Sequence, residues 1–378
     1  MARAGRRVPV APGDEAATLP DGRGEVSSAA RLDFIRPAIR DLDGYTPGEQ
    51  PQDQRYIKLN TNENPYPPSP RVIDAVRACA AETLRLYPDP MANVLRDKAA
   101  EVYGFERDEI LAGNGSDDLL AMIVRACVGP GDRVVYPSPT YSLYDTLVAI
   151  GGGEAVRVPF GPDYRLPAGL AEAGGRVTFL CNPNAPSGTL VPAREIAALS
   201  ARLAGLLVVD EAYVDFADEN ALGLVRTRDN VVVLRSFSKS FSLAGLRIGL
   251  AFARAELINE LIKVKDSYNL SRAGIAAAVA ALEDHAWMQA NVRRVRATRE
   301  RLTVALRAQG FVVPPSQANF VLARRPGQSL QGTYEQLKAR GILVRYFATA
   351  GLADAMRISV GTDDEIGRLL EALREIPA

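Results

Sequence analysis

One histidine, His285, three cysteines and one tryptophan occur among 378 residues. A metal cage of imidazole and thiolate lacks ligands, so no metal site is expected, and a Ser-His-Asp system could draw only on His285. Cys79, Cys127 and Cys181 are too few and too widely spaced for a disulfide framework, which makes a reduced, cytoplasmic setting the expectation. Excess charge is missing as well: 45 Lys and Arg balance 45 Asp and Glu. Nothing in that total draws the chain to nucleic acid or to an anionic membrane. No apolar run reaches the roughly 18 residues of a membrane span. What remains is 47% hydrophobic and 24% charged, an ordinary globular composition with length enough for two or three structural units.

Residues 1–30 mix Pro, Gly, Ala and charges without an apolar period, which reads as a flexible tail. That stretch carries Asp14, Glu15, Asp21 and Glu25 and no continuous apolar core, so neither a secretory signal nor an acid-poor transit peptide fits. From Pro70 onward, short apolar runs alternate with helical patterns. Val134–Tyr136, Val177–Leu180, Leu206–Val209, Val231–Leu234 and Ile248–Phe252 read as strands buried on both faces. Leu119, Leu120, Ile123, Val124 and Cys127 form a helical stripe after Gly115-Ser116-Asp117, a plausible N-cap. The pattern predicts an α/β fold, a mostly parallel central sheet between helices, over 70–269. Beyond about Asn291 come a long Arg-rich helix, strands at Asn319–Ala323, Ile342–Tyr346 and Met356–Val360, and a helix from Asp363. These suggest a second, smaller α+β domain within 270–378.

Three segments carry chemistry. In Ser236-Phe237-Ser238-Lys239-Ser240, a lysine follows a buried strand among hydroxyl residues, with Arg247 eight positions on. Alone, such a lysine is most often a solvated surface cation. Upstream, Asp210 ends another buried strand, where ligands of open parallel sheets collect. A buried carboxylate needs a cationic partner, and a protonated pyridine nitrogen would be one. Third, Gly113-Asn114-Gly115-Ser116-Asp117 opens a helix with two glycines, so backbone N–H groups can approach an anion at its positive end. Hydrogen bonds from Ser236, Ser238, Arg247 and that helix end would retain a phosphate while the lysine is detached.

Taken in order, the motifs are Leu59-Asn60-Thr61-Asn62-Glu63-Asn64-Pro65, Leu86-Tyr87-Pro88, Gly115-Ser116-Asp117, Pro139-Thr140-Tyr141, Asn182-Pro183-Asn184-Ala185-Pro186-Ser187-Gly188, Asp210-Glu211-Ala212-Tyr213, Ser236 to Lys239 with Arg247, and Met356 to Thr362. From about Asp43 to its end the chain resembles the fold-type I pyridoxal-phosphate aminotransferases, and among them the histidinol-phosphate aminotransferases.

The resemblance implies pyridoxal 5'-phosphate as cofactor, with Lys239 holding its aldehyde, Asp210 pairing with the ring nitrogen and Tyr213 bonding the ring oxygen. Tyr141 would stack on the ring. Gly115, Ser116, Asp117, Ser236, Ser238 and Arg247 would surround the phosphate, joined by Tyr87 from the other subunit of a homodimer. Residues 31–69 would form an N-terminal arm serving the small domain and the dimer contact. One position departs from the pattern: Ala185 stands where many relatives carry an asparagine that donates to the ring oxygen. Either Asn182, the preferred candidate, or Asn184 supplies that contact, or Tyr213 acts unaided.

For the substrate, the resemblance assigns Arg345 and Arg357 to an anion and Tyr45 to a residue that closes over it. The implied reaction is transamination of L-histidinol phosphate with 2-oxoglutarate, giving imidazole acetol phosphate and glutamate in histidine biosynthesis. An aromatic-amino-acid aminotransferase is the alternative, because the same arginines would hold a carboxylate. A related decarboxylase or a catalytically dead regulator on this scaffold is a more distant one.

Overall fold

The computed structural model describes residues 34–40, 42, 44, 48–51, 53–349 and 351–376. The tail read at 1–30 lies outside them, as does Tyr45. Eleven strands follow in chain order: β1 (Ile57–Leu59), β2 (Ile110–Gly113), β3 (Arg133–Ser138), β4 (Glu154–Pro159), β5 (Val177–Cys181), β6 (Leu206–Asp210), β7 (Val231–Ser236), β8 (Gly249–Phe252), β9 (Phe320–Arg324), β10 (Ile342–Tyr346) and β11 (Ala355–Ser359). Seven of them form one sheet in the order β2-β8-β7-β6-β5-β3-β4. Its pairings are parallel except those of β8, which runs against both neighbours.

The two-residue period of a strand explains how this sheet is buried on both sides. Leu207 and Val209 of β6, with Val231 and Val233 of β7, enter one apolar core. Val208, Val232 and Leu234 enter the other. Helices complete both layers. One of them, Ser116–Cys127, buries Leu119, Leu120, Ile123 and Val124 and carries Asp117 and Asp118 in its first turn, where the helix dipole favours negative charge.

The second sheet has four strands in the order β1-β10-β11-β9. One face buries Val321, Ile342, Val344, Met356 and Ile358 against Leu302 and Leu306 of the helix His285–Ala308 and Ile366, Leu369 and Leu373 of the helix Asp363–Glu375. A capping box between Thr362 and Glu365 starts the latter. Alternation therefore turns Arg345 and Arg357 toward the opposite face.

Several boundaries differ from the sequence reading. β8 starts at Gly249, one residue later than expected. The Arg-rich helix begins at His285, ahead of the expected start near Asn291. Three strands carried no recognisable run. β1 is three residues long, β2 four, and β4 is an edge strand with no buried residue, whose Glu154 and Arg157 break the apolar pattern.

Candidate active site

One cavity takes its lining from both sheets. It is lined by Lys239, Asp210, Tyr213, Ser116, Asp117, Tyr141, Ser236, Ser238 and Arg247 from the large sheet's side, and by Arg345 and Arg357 from the small one. Asp210 ends β6 on the face that Val208 shares with the second core, so alternation points it toward the cavity and leaves Glu211 for the other side. There Glu211 pairs with buried Arg235 at 2.8 Å, and Arg235 reaches Asp215 at 3.0 Å. Ser240 donates to the same Asp215. Asn64 donates to the carbonyls of Lys239 (3.0 Å) and Ser240 (3.1 Å). The lysine segment is thus held by its backbone as well as by the strand before it.

Asp210 is 2% exposed. It accepts the Tyr144 hydroxyl (3.0 Å) and the Ala212 N–H (3.2 Å). Burial raises its pKa to about 6, against the opposing pull of the Tyr144 bond and the Lys239 charge. Lys239 Nζ donates to the Thr61 carbonyl at 3.4 Å. Burial, followed by the nearby Arg357 guanidinium, lowers the amine to about 8. Amine and acid therefore face one another's field across the cavity. The Tyr213 ring meets Phe320 edge-on, centroids 5.0 Å apart, and its hydroxyl accepts the Asn62 amide at 3.1 Å.

At the end near the helix Ser116–Cys127, Arg247 donates to Ser238 Oγ (3.3 Å) and Asp117 Oδ2 (3.0 Å). Asp117 Oδ1 accepts the Tyr141 hydroxyl (3.1 Å). Gly115 sits behind them at φ +86°, and a Cβ there would lie 2.6 Å from the Arg247 guanidinium. The positive φ calls for glycine, and a Cβ would also displace the guanidinium.

Arg345 and Arg357 are paired residues in the β10–β11 register, and their guanidinium carbons lie 5.7 and 5.8 Å from the Phe347 ring centroid. Arg357 also donates to the Asn60 carbonyl (3.0 Å).

Four expected site residues lie outside the cavity lining: Gly115, which backs it, and Asn182, Asn184 and Tyr87. Asn182, the preferred ring-oxygen candidate, bonds the Val191 backbone, donating to the carbonyl (3.1 Å) and accepting the N–H (2.7 Å). Asn184 is likewise committed, donating to the Pro139 carbonyl and Ser187 Oγ and accepting the Thr140 hydroxyl. Tyr87 is 77% exposed and stacks on Tyr268 at 4.5 Å. Conversely, sequence reasoning gave no role to Asn60, Thr61, Asn62 or Tyr144. The first three stand in the Leu59 to Pro65 motif, but what each touches is set only by the fold. Tyr144 carried no signal, since an aromatic on a helix most often only packs.

The mixed α/β architecture, with a mostly parallel sheet and a strand-end site, is that of the fold-type I aminotransferases. The chain belongs to the aminotransferase class I and II family, whose model matches residues 54–373. It is 48% identical over 344 residues to the histidinol-phosphate aminotransferase of Citrifermentans bemidjiense, covering 90% of this chain and 98% of that protein. It is 44% identical over 345 residues to histidinol-phosphate aminotransferase 1 of a Nostoc species, covering 91% and 98%. Among solved structures, the histidinol-phosphate aminotransferase of Sinorhizobium meliloti in complex with pyridoxal-5'-phosphate superposes with a TM-score of 0.84 at 29% identity, covering 93% of this chain and all of that one.

Proposed function

We propose that the protein uses pyridoxal 5'-phosphate to transaminate L-histidinol phosphate with 2-oxoglutarate, giving imidazole acetol phosphate and glutamate in histidine biosynthesis. The observation that carries the substrate is the Arg345–Arg357 pair. Two like charges paired across adjacent strands repel, and a phosphomonoester dianion offsets both where a carboxylate offsets one. The names of the relatives support the same choice.

The donor set fits the cofactor. A buried carboxylate, a buried amine and a phenol share the cavity with hydroxyls and a guanidinium grouped at a glycine-opened helix start. When bound, the cofactor supplies an aldehyde that captures the substrate amine and a ring that takes up an electron pair. Asp210 would keep the ring nitrogen protonated, and Tyr213 would donate to the ring oxygen. Tyr141 would cover the ring, while Gly115, Ser116, Asp117, Ser236, Ser238 and Arg247 would form the phosphate end. Lys239 would hold the cofactor's aldehyde and would serve as the base that moves the substrate Cα proton. In the cofactor-free site its amine is lowered to about 8, which favours the neutral form that a base or nucleophile needs.

In this reading residues 70–269 form the cofactor domain, and 270–378 with the arm 31–69 form the small one; the pairing of β1 with β10 supports the second grouping. The exposure of Tyr87 supports a homodimer in which it serves the neighbouring site. Cys79, Cys127 and Cys181 are free thiols, which suits a cytoplasmic enzyme, and among the described residues no helix is long and apolar enough to cross a membrane. Steady-state kcat/KM for histidinol phosphate against phenylalanine tests the substrate. A preference for histidinol phosphate is expected, and one for phenylalanine overturns the assignment.

A further inference from the structure

Asn62 is 1% exposed and stands at φ +55°, a left-handed conformation that asparagine tolerates better than most residues. Every polar group of this residue is engaged. Its N–H donates to Ser359 Oγ (2.8 Å), and its carbonyl accepts the Asn319 amide (2.9 Å). Ser359 returns its single hydroxyl proton to Asn62 Oδ1 (3.0 Å). The side-chain amide is oriented with Oδ1 toward Ser359 of β11 and Nδ2, a donor only, toward Tyr213 Oη at 3.1 Å.

A phenol has one proton. With an N–H directed at its oxygen from Asn62, the Tyr213 oxygen accepts on that side and its proton is left for a different acceptor. Tyr213 lines the cavity. Ala185 lines it too and has no donor, while the amides of Asn182 and Asn184 are engaged elsewhere. We propose that Asn62 is a positioning residue that sets the direction of the Tyr213 hydroxyl, so that its proton is donated into the cavity, to the cofactor's ring oxygen. The inference rests on the cofactor reading given above. Asn62 also closes a run of three residues that each meet a site group: the Asn60 carbonyl accepts from Arg357, the Thr61 carbonyl from Lys239, and the Asn62 amide donates to Tyr213.

A hydrogen bond donated to the ring oxygen favours its ionised form and holds the apparent pKa of the bound chromophore down. The test is a pH titration of the visible absorbance of the cofactor-loaded protein. Asn62→Gly keeps the left-handed backbone accessible and removes the amide; the acid dissociation constant should fall about threefold or more. Asn62→Asp puts an acceptor where the donor was, so it draws the Tyr213 proton away and should shift the titration further in the same direction. In a Tyr213→Phe background the Asn62→Gly shift should vanish, and the Asn62→Asp shift should shrink to the direct effect of its charge. An unchanged titration in Asn62→Gly, or an equal shift with and without the tyrosine hydroxyl, overturns the proposal. Should Asn62→Gly fail to fold, the near-isosteric Asn62→Asp comparison alone decides in the same way. A wild-type protein that develops no visible absorbance with pyridoxal phosphate would instead sink the cofactor reading itself.

Discussion

The two sheets bring their residues to the cavity by different means. In the seven-stranded sheet, Asp210 is the last residue of β6, Ser236 the last of β7, and Lys239 follows three positions later. Their placement comes from where parallel strands stop, and the chain nearby secures it through Asp215 and Arg235. In the four-stranded sheet, Arg345 and Arg357 lie within strands and reach the cavity by alternation. Their support comes from residues almost 300 positions away, as in the bond from Arg357 to the Asn60 carbonyl. In the proposed function the first arrangement would be a fixed seat for the cofactor, and the second a grip assembled across the fold for the substrate.

Removing a residue of the seat should cost the chemistry itself. Lys239→Ala should lower kcat by about 1,000-fold or more with the thermal unfolding midpoint close to wild type, measured by stopped turnover assays and circular dichroism. Removing a residue of the grip should cost recognition instead. Arg357→Gln should lower kcat/KM for histidinol phosphate by about 10- to 100-fold, the worth of one charge-assisted contact, while the visible spectrum of the loaded protein is unchanged. Loss of cofactor from that variant would break the division between seat and grip.

The lowered amine of Lys239 gives a pH signature read at the seat. Only the neutral amine attacks an aldehyde, so the rate at which cofactor-free protein takes up pyridoxal phosphate should climb about tenfold per pH unit below pH 8 and flatten above it. An ordinary exposed lysine would keep the rate climbing to about pH 10. The smallest effect is expected behind Asp210. Tyr144→Phe removes one neutral donor from a buried carboxylate and should weaken cofactor binding about three- to tenfold by equilibrium titration.

The same contrast governs what the sequence revealed. Strand-end residues were legible because Leu206–Val209 and Val231–Leu234 are uninterrupted apolar runs, and a carboxylate or a hydroxyl-flanked lysine placed directly after them is conspicuous. Gly115 announced itself by sitting before a helical stripe. The roles of Asn62 and Tyr144 were hidden, because each depends on a partner that only the fold brings near: Ser359 for one, Asp210 for the other. The contacts of Asn182 were hidden for a related reason. That residue follows a buried strand as Asp210 ends one, but the Val191 backbone runs close enough to take both ends of its amide. Sequence showed that a polar residue stood at the strand end and could not show which neighbour would claim it.

The account stands or falls on the amine that carries the cofactor. Borohydride reduction of the protein loaded with pyridoxal phosphate, followed by peptide mass mapping, fixes the group to whichever lysine holds it. One pyridoxyl adduct per chain, on the peptide containing Lys239, is the predicted result. An adduct at a different lysine, or none at all, would contradict it.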